Sequence, residues 1–385
     1  MSGIHLLSFF TGGGFFDLGF EQAGFKVCFT NELDERTSKL YSSGMTSWRL
    51  SLDKNATSVQ ISSNKSIEDL SVKEILDCAF PDEQPALFGV IGGPPCTDFS
   101  IGGVQAGHDG KAGRLTSVYV SKLRKLKPSF FVLENVPHLS TNEKHSTKLE
   151  TLLKSIENAG YVYVKTILNA LDYGVPQDRQ RLFVVGFRRE LLRAWMPKTK
   201  NLKAALQKTF SWPKATYPNA KLSYSWPGST AFRGSPSKPA DIPEDLCSLH
   251  AFDQGNDPEL VANGKDCFKP YSKKFQVIKE GDVSKKSFKR LHRFRYSPTA
   301  WYGNNEVHLH PWKPRRISVR EALRLQSVPD SYIMPAEVPL STKFKTICNG
   351  VPCLLAKHLA EAINKYIQDG QNGLLKGSQT AAKHG

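Results

Sequence analysis

No two of the seven cysteines (28, 78, 96, 247, 267, 348 and 353) stand as a C-x-x-C pair, and their number is odd. The pattern indicates neither a zinc knuckle nor a disulfide framework, so no metal is expected and a reducing, cytoplasmic setting fits best. Long hydrophobic runs are lacking as well. The apolar stretch Ile4 to Phe10 is too short to span a bilayer, carries no basic leader and runs straight into glycines. It reads as a buried first strand, and no membrane association is expected. Acidic residues are scarce relative to basic ones, with 36 Asp+Glu against 52 Lys+Arg and a formal charge of +16. Such an excess suggests a polyanionic partner.

What is present is an alternation. Over residues 1–187 short apolar runs ("IHLLSFF", "KVCFTNE", "LFGVIGG", "SFFVLENV", "RLFVVGF") alternate with helical patterns such as "FFDLGFEQAG" and "LTSVYVSKLRKLK". That is the signature of βαβ units around a mostly parallel sheet, so the fold class is α/β. Leu149, Leu152, Leu153 and Ile156, followed by Gly160, trace an amphipathic helix and its stop. From residue 188 prolines and aromatics accumulate and apolar runs shorten. Residues 188–316 read as a second, smaller and irregular domain, with 25 Lys/Arg against 11 Asp/Glu, so that +14 of the chain's +16 falls there. The run Lys285, Lys286, Lys289, Arg290 is its densest candidate for phosphate contact. The first domain returns over 317–368. There Ser318 and Glu321 form an S-x-x-E capping box opening a helix ended by Pro329, and Leu355, Leu359, Ile363 and Ile367 stripe a last helix. Residues 369–385 read as a disordered tail.

Four stretches carry chemistry. "FFTGGGFFDLGF" follows the first strand directly, and Glu32 stands twenty residues past Gly12 at the end of the second. Glycines let the backbone approach a ligand, and a carboxylate at that offset can accept hydrogen bonds from ribose hydroxyls. The third glycine of a dinucleotide fingerprint is Asp17, which favours an adenosine-bearing ligand without a pyrophosphate. "GGPPCTDFSIGG" puts Cys96 after a strand, behind two stiff prolines, where open α/β sheets bind ligands; a thiol there is placed to attack. "FFVLENVP" ends a strand with Glu134, whose partial burial can raise its pKa so that it protonates or hydrogen-bonds a basic ring nitrogen. "VPQDRQRLFVVGF" puts Gln177, Arg179 and Arg181 two apart on one strand face, able to hold a carbonyl oxygen, a phosphate or a catalytic loop.

Taken together, in this order and spacing, the sequence resembles the DNA (cytosine-5) methyltransferases over about residues 4–367, the variable recognition region excepted. The resemblance rests on Phe10, Gly12 and Gly14 (F-x-G-x-G), Glu32, G-P-P-C ending in Cys96, E-N-V at 134–136, Q-x-R-x-R at 177–181, "RRISVREALRLQSVPD" and Asn349-Gly350-Val351. Phe15, Leu33, Ser66 and Cys348 depart from the commoner pattern. The resemblance implies a Rossmann-like S-adenosylmethionine-dependent domain with a target-recognition domain inserted, acting as a monomer on duplex DNA and releasing S-adenosylhomocysteine. A cognate restriction endonuclease would act separately, and in a prokaryote the protein would associate with the nucleoid. It implies that Cys96 adds to carbon 6 of a flipped cytosine while Glu134 stabilises nitrogen 3, with Arg179 on the ring carbonyl and Arg181 beside it. Phe10, Thr11, Gly12, Gly14, Phe15, Glu32, Leu33, Ser66, Pro94, Asn349 and Val351 would bind the cofactor. Ser100 and Arg114 match positions against the flipped nucleotide's backbone, and Arg233, Arg293 and Arg295 are candidate contacts in the insert. A transfer RNA methyltransferase on the same core and a non-catalytic DNA-binding relative are the alternatives.

Overall fold

The computed structural model describes residues 3–95, 111–141, 143–253, 255–285, 287–299, 301–302 and 306–377. The first half runs β1 (His5–Phe9), α1 (Phe15–Gln22), β2 (Lys26–Asn31), α2 (Glu35–Leu52), α3 (Val72–Ala79), β3 (Phe88–Gly92), α4 (Lys111–Leu126), β4 (Phe130–Asn135), α5 (His138–Thr141), α6 (Glu143–Asn158), β5 (Tyr161–Asn169), β6 (Gln177–Asp178) and β7 (Gln180–Arg188). Six strands form one sheet in the order β2-β1-β3-β4-β7-β5. It is parallel from β2 to β4, and β7 runs antiparallel to both of its neighbours. The expected α/β class is the one observed.

Sheets covered on both faces need strands that are apolar on both sides, and β3 and β4 are buried at every residue. On one face Leu6, Ile91, Phe130 and Val132 meet α1 and the helix Cys353–Gln371, whose Leu355, Leu359, Ile363 and Ile367 are all fully buried. On the other, Leu7, Val90, Phe131 and Leu133 meet α3, α4 and α6, the last through the Leu149, Leu152, Leu153 and Ile156 stripe. The close approach of α1 to the last helix needs Gly19, where a Cβ would lie 2.5 Å from that of Ala356. Each buried leucine or isoleucine contributes roughly 1.5–3 kcal/mol.

Three boundaries differ from the sequence reading. Residue 188 falls inside the first core: the helices Arg189–Trp195 and Leu202–Thr209 place Leu192, Trp195, Leu206 and Phe210 against the face of the sheet that the last helix covers. Beyond Phe210 the chain is irregular as expected. Among the described residues up to Ile317, its longest regular pieces are four-residue helical turns and two-residue strands. The capping box forms at both of its hydrogen bonds, but the helix it opens is only Val319–Arg324. Ser327, at φ 55°, has already turned the chain before Pro329. The last helix persists to Gln371 and a 3-10 turn spans Leu374–Gly377, with Leu375 buried in the core. Order therefore extends past residue 369. Gly370, one residue before its end, lets the helix pass under the Trp195 indole, where a Cβ would come within 2.3 Å of the ring.

Candidate active site

The carboxyl ends of β1, β2, β3 and β4 open into one cavity of about 870 Å3. One end is built by the turn after β1. Phe10, Gly12 and Gly14 all take positive φ (56°, 59° and 77°), which folds the turn tightly against the start of α1. Asn31 at the end of β2 ties the turn down: its carbonyl accepts the Thr11 N–H at 3.1 Å and its own N–H donates to the Thr11 hydroxyl. Below the turn the Ser8 hydroxyl donates to the buried Asp17 carboxyl at 2.7 Å.

Glu32, directly after β2, faces the turn. One carboxylate oxygen accepts the Gly12 N–H and the other the Asp34 N–H, both at 2.9 Å. Burial pushes its pKa up, and these N–H donors oppose that. Each oxygen keeps a lone pair free, and that is what a ribose diol requires. Leu33, 65% exposed, and Ser66 lie on the cavity wall beyond Glu32; Phe10, Thr11, Gly12, Phe15, Asn349 and Val351 complete that lining, with Gly14 behind it. These residues fit an adenosine carrying a short side chain.

The other end is built by β3, β4 and β7. Glu134, 8% exposed, receives the Arg181 Nε at 2.9 Å. Burial raises its pKa, opposed by the charges of Arg181 and Arg179. Gly93 leaves room for this carboxylate: a Cβ there would lie 2.7 Å from Glu134 Oε2. Pro94 and Pro95 line the same wall, and the Asn135 side-chain amide reaches the Pro94 carbonyl at 3.5 Å. Cys96 and Ser100 lie outside the described residues.

Arg179 is not where the resemblance puts it. Arg179 is the single residue between β6 and β7, so the one strand assumed to run through 177–181 is interrupted at it. Arg179 is fully buried outside the cavity lining, and its Nη2 donates to the Cys348 carbonyl at 2.7 Å and the Gly350 carbonyl at 2.8 Å. It holds a loop, whereas Arg181 reaches the cavity. Burial, reinforced by the charge of Arg181, pulls the Arg179 pKa down to about 9.

The insert arginines also divide. Arg293 is committed to the buried Glu280 by two bonds of 2.9 Å and lies over the Trp312 ring. Arg290 is fully buried among the carbonyls of Phe275, Ile278, His310 and Lys313, and Lys289 pairs with Glu306. Arg233 is exposed, Arg295 half-buried over Tyr296, and Arg114, 71% exposed, makes two 2.7 Å bonds to Glu68. Trp301, Lys345 and Thr346 also line the cavity. No spacing rule singles them out, because they arrive from the insert and from the return of the first domain. Among the described residues, no group of three or more His, Cys, Asp or Glu is placed to hold a metal ion, and no helix is long and apolar enough to cross a membrane.

Known proteins resemble this chain. Residues 4–365 match the family model for C-5 cytosine-specific DNA methylases. The chain is 40% identical to the type II methyltransferase M.NmeDI of Neisseria meningitidis serogroup C, over 94% of this chain and 84% of that one. It is 29% identical to the type II methyltransferase M.MthTI of Methanothermobacter thermautotrophicus, over 95% and 98%. Among solved structures, a putative DNA modification methyltransferase encoded within an E. coli prophage superposes with a TM-score of 0.58 at 22% identity, covering 95% of this chain and all of that one. The S. pombe Dnmt2 methyltransferase gives 0.55 at 11% identity, over 95% and 98%; these two speak for the fold alone. With a family match across nearly its whole length and a relative at 40% identity, the chain belongs to the C-5 cytosine-specific DNA methylases and is a DNA (cytosine-5) methyltransferase.

Proposed function

We propose that the protein methylates carbon 5 of a cytosine swung out of a specific duplex DNA sequence, through a covalent Cys96 adduct, with S-adenosylmethionine as donor and S-adenosylhomocysteine as product. The observation that carries this reading is one cavity with two unlike ends: a glycine turn braced by Glu32 and a buried Glu134–Arg181 pair at 2.9 Å. Glu32, the backbone of Phe10 to Gly14, Leu33, Ser66, Asn349 and Val351 would hold the cofactor, which when bound supplies an electrophilic sulfonium methyl.

Carbon 5 of cytosine is a poor nucleophile. The Cys96 thiolate adds to carbon 6, and the displaced ring electrons make carbon 5 enamine-like. Glu134, whose pKa burial raises, hydrogen-bonds nitrogen 3 and steadies the charge arriving there. Arg181 turns its guanidinium to the ring carbonyl, the role that the sequence resemblance gave to Arg179. Once carbon 5 has accepted the methyl group its proton leaves to water, and the returning electrons expel the thiolate. Flipping the base costs a few kcal/mol, which phosphate contacts from the basic insert offset. The relatives' printed names, type II methyltransferases, support an enzyme of that type.

Duplex DNA carrying 5-fluorocytosine at the target should trap the enzyme as a band stable to denaturing electrophoresis, because fluorine cannot leave as the proton does. The variant Cys96→Ala should neither trap nor methylate. An active Cys96→Ala protein ends the covalent reading, and preferential methylation of transfer RNA would move the function to RNA.

A further inference from the structure

We propose that Trp301, from the basic insert, is the stacking platform for the flipped base; the inference rests on the function proposed above. Among the described residues, Trp301 is the one side chain between Phe210 and Ile317 that lines the cavity. It is half-buried, so part of the indole is open to an occupant.

One flank of Trp301 is fastened to the strand that leads to Arg181, the other to the loop that Arg179 holds. On one side, Ser297–Pro298 pairs in parallel with β6, the two residues just before Arg179. The Ser297 N–H donates to the Pro176 carbonyl at 2.9 Å, and the Thr299 hydroxyl to the Asp178 carbonyl at 2.5 Å. On the other, Tyr302 is buried with its ring edge-on to His308 and Phe344, and its backbone N–H donates to the Cys348 thiol. Cys348 in turn has its carbonyl on Arg179. The tie to Gln177 and Asp178, just before Arg181, sets the indole toward the Glu134–Arg181 end of the cavity.

A base in that end meets Glu134 and Arg181 with its edge, and edge contacts leave both ring faces unmatched. Pro94 and Pro95 supply only small saturated surfaces there. A flipped base is retained by hydrogen bonds to its edge together with stacking on aromatic or apolar side chains. Stacking on an aromatic side chain is worth roughly 5- to 150-fold in binding per base. Trp301 is the aromatic group that the insert delivers to this end, so docking the insert on DNA and completing the base site become one event.

The test uses the full-length enzyme and a duplex bearing the methylated sequence, first mapped by bisulfite sequencing of DNA modified by the wild type. Trp301→Ala should weaken binding of the duplex and slow single-turnover methylation by about 10- to 100-fold, and Trp301→Phe should recover most of the loss. Calorimetric affinity for S-adenosylmethionine should stay within twofold, which also certifies the fold. On the same duplex with an abasic target position, wild type and Trp301→Ala should bind alike. A deficit that persists on abasic DNA, or a loss of cofactor affinity, overturns the stacking role. Full activity of Trp301→Ala overturns it as well. A wild type that leaves DNA unmethylated overturns instead the function on which it rests.

Discussion

Replacing Arg179 by methionine separates two roles that the sequence alone runs together. The guanidinium makes two charged hydrogen bonds to backbone carbonyls, at 2.7 and 2.8 Å. Together these are worth roughly 3–6 kcal/mol. Against this stands burial: its Nε and Nη1 find no partner, and its pKa falls from 12.5 to about 9. At ~1.4 kcal/mol per pH unit that descent costs on the order of 5 kcal/mol. The terms nearly cancel, so Arg179→Met should change global stability in urea by less than about 2 kcal/mol. The loop does not share in that cancellation. Cys348 and Gly350 lose their tether, and Asn349 and Val351 beside them line the cofactor end of the cavity. Ordering a residue costs ~1–2 kcal/mol, so S-adenosylmethionine affinity, measured by calorimetry without DNA, should drop about 10- to 100-fold. Arg181→Met should do the converse, keeping cofactor affinity and lowering the single-turnover rate by about 100-fold or more. If Arg179→Met binds the cofactor within twofold of wild type yet transfers methyl slowly, Arg179 works on the base and the assignment made here is wrong.

Two further outcomes follow from the structure. Lys273, Lys274, Lys279 and Lys285 are exposed on the insert, so changing all four to glutamine should flatten the dependence of log affinity for nonspecific DNA on log salt by roughly 1 to 3 units. An unchanged slope in a filter-binding series would place the phosphates elsewhere. Burial pushes the Asp17 carboxyl up to about 7, against the Ser8 hydrogen bond. The folded state then holds a proton that the unfolded chain releases near pH 4, so wild type loses stability relative to Asp17→Asn as pH rises through 4 to 7, by up to roughly 4 kcal/mol. Parallel denaturation midpoints at pH 5 and pH 8 would refute that origin.

The parts of the site legible in the sequence are those set by short-range rules. The glycines after β1, Glu32 after β2 and Glu134 at the end of β4 lie where the alternation of strands and helices puts them, and the capping box of Ser318 and Glu321 forms as written. Period-two reasoning failed at Arg179 because the strand it assumed is two. The Arg179 N–H donates to the Asn169 side chain and its carbonyl accepts the Ala170 N–H, and its side chain is fully buried. The charge run Lys285 to Arg290 misled for a related reason. A count of like charges cannot see that Lys289 faces Glu306 or that Arg290 is ringed by carbonyls. The place of Trp301 in the cavity is not legible in the sequence because its neighbours there, from Arg181 to Thr342 and Cys348, lie far from it along the chain.

The two-residue ladder between β6 and Ser297–Pro298 bears on how one such enzyme could acquire another's sequence preference. Transplanting the whole of 188–316 would remove Leu192, Trp195, Leu206 and Phe210 from the core and cut the ladder at its insert strand. The unit that can change hands is narrower, beginning after Phe210 and ending before Ser297. A hybrid joined at those points keeps the sheet covered and keeps Thr299 on Asp178, so that a foreign reading head remains geared to the strand that aims Arg181.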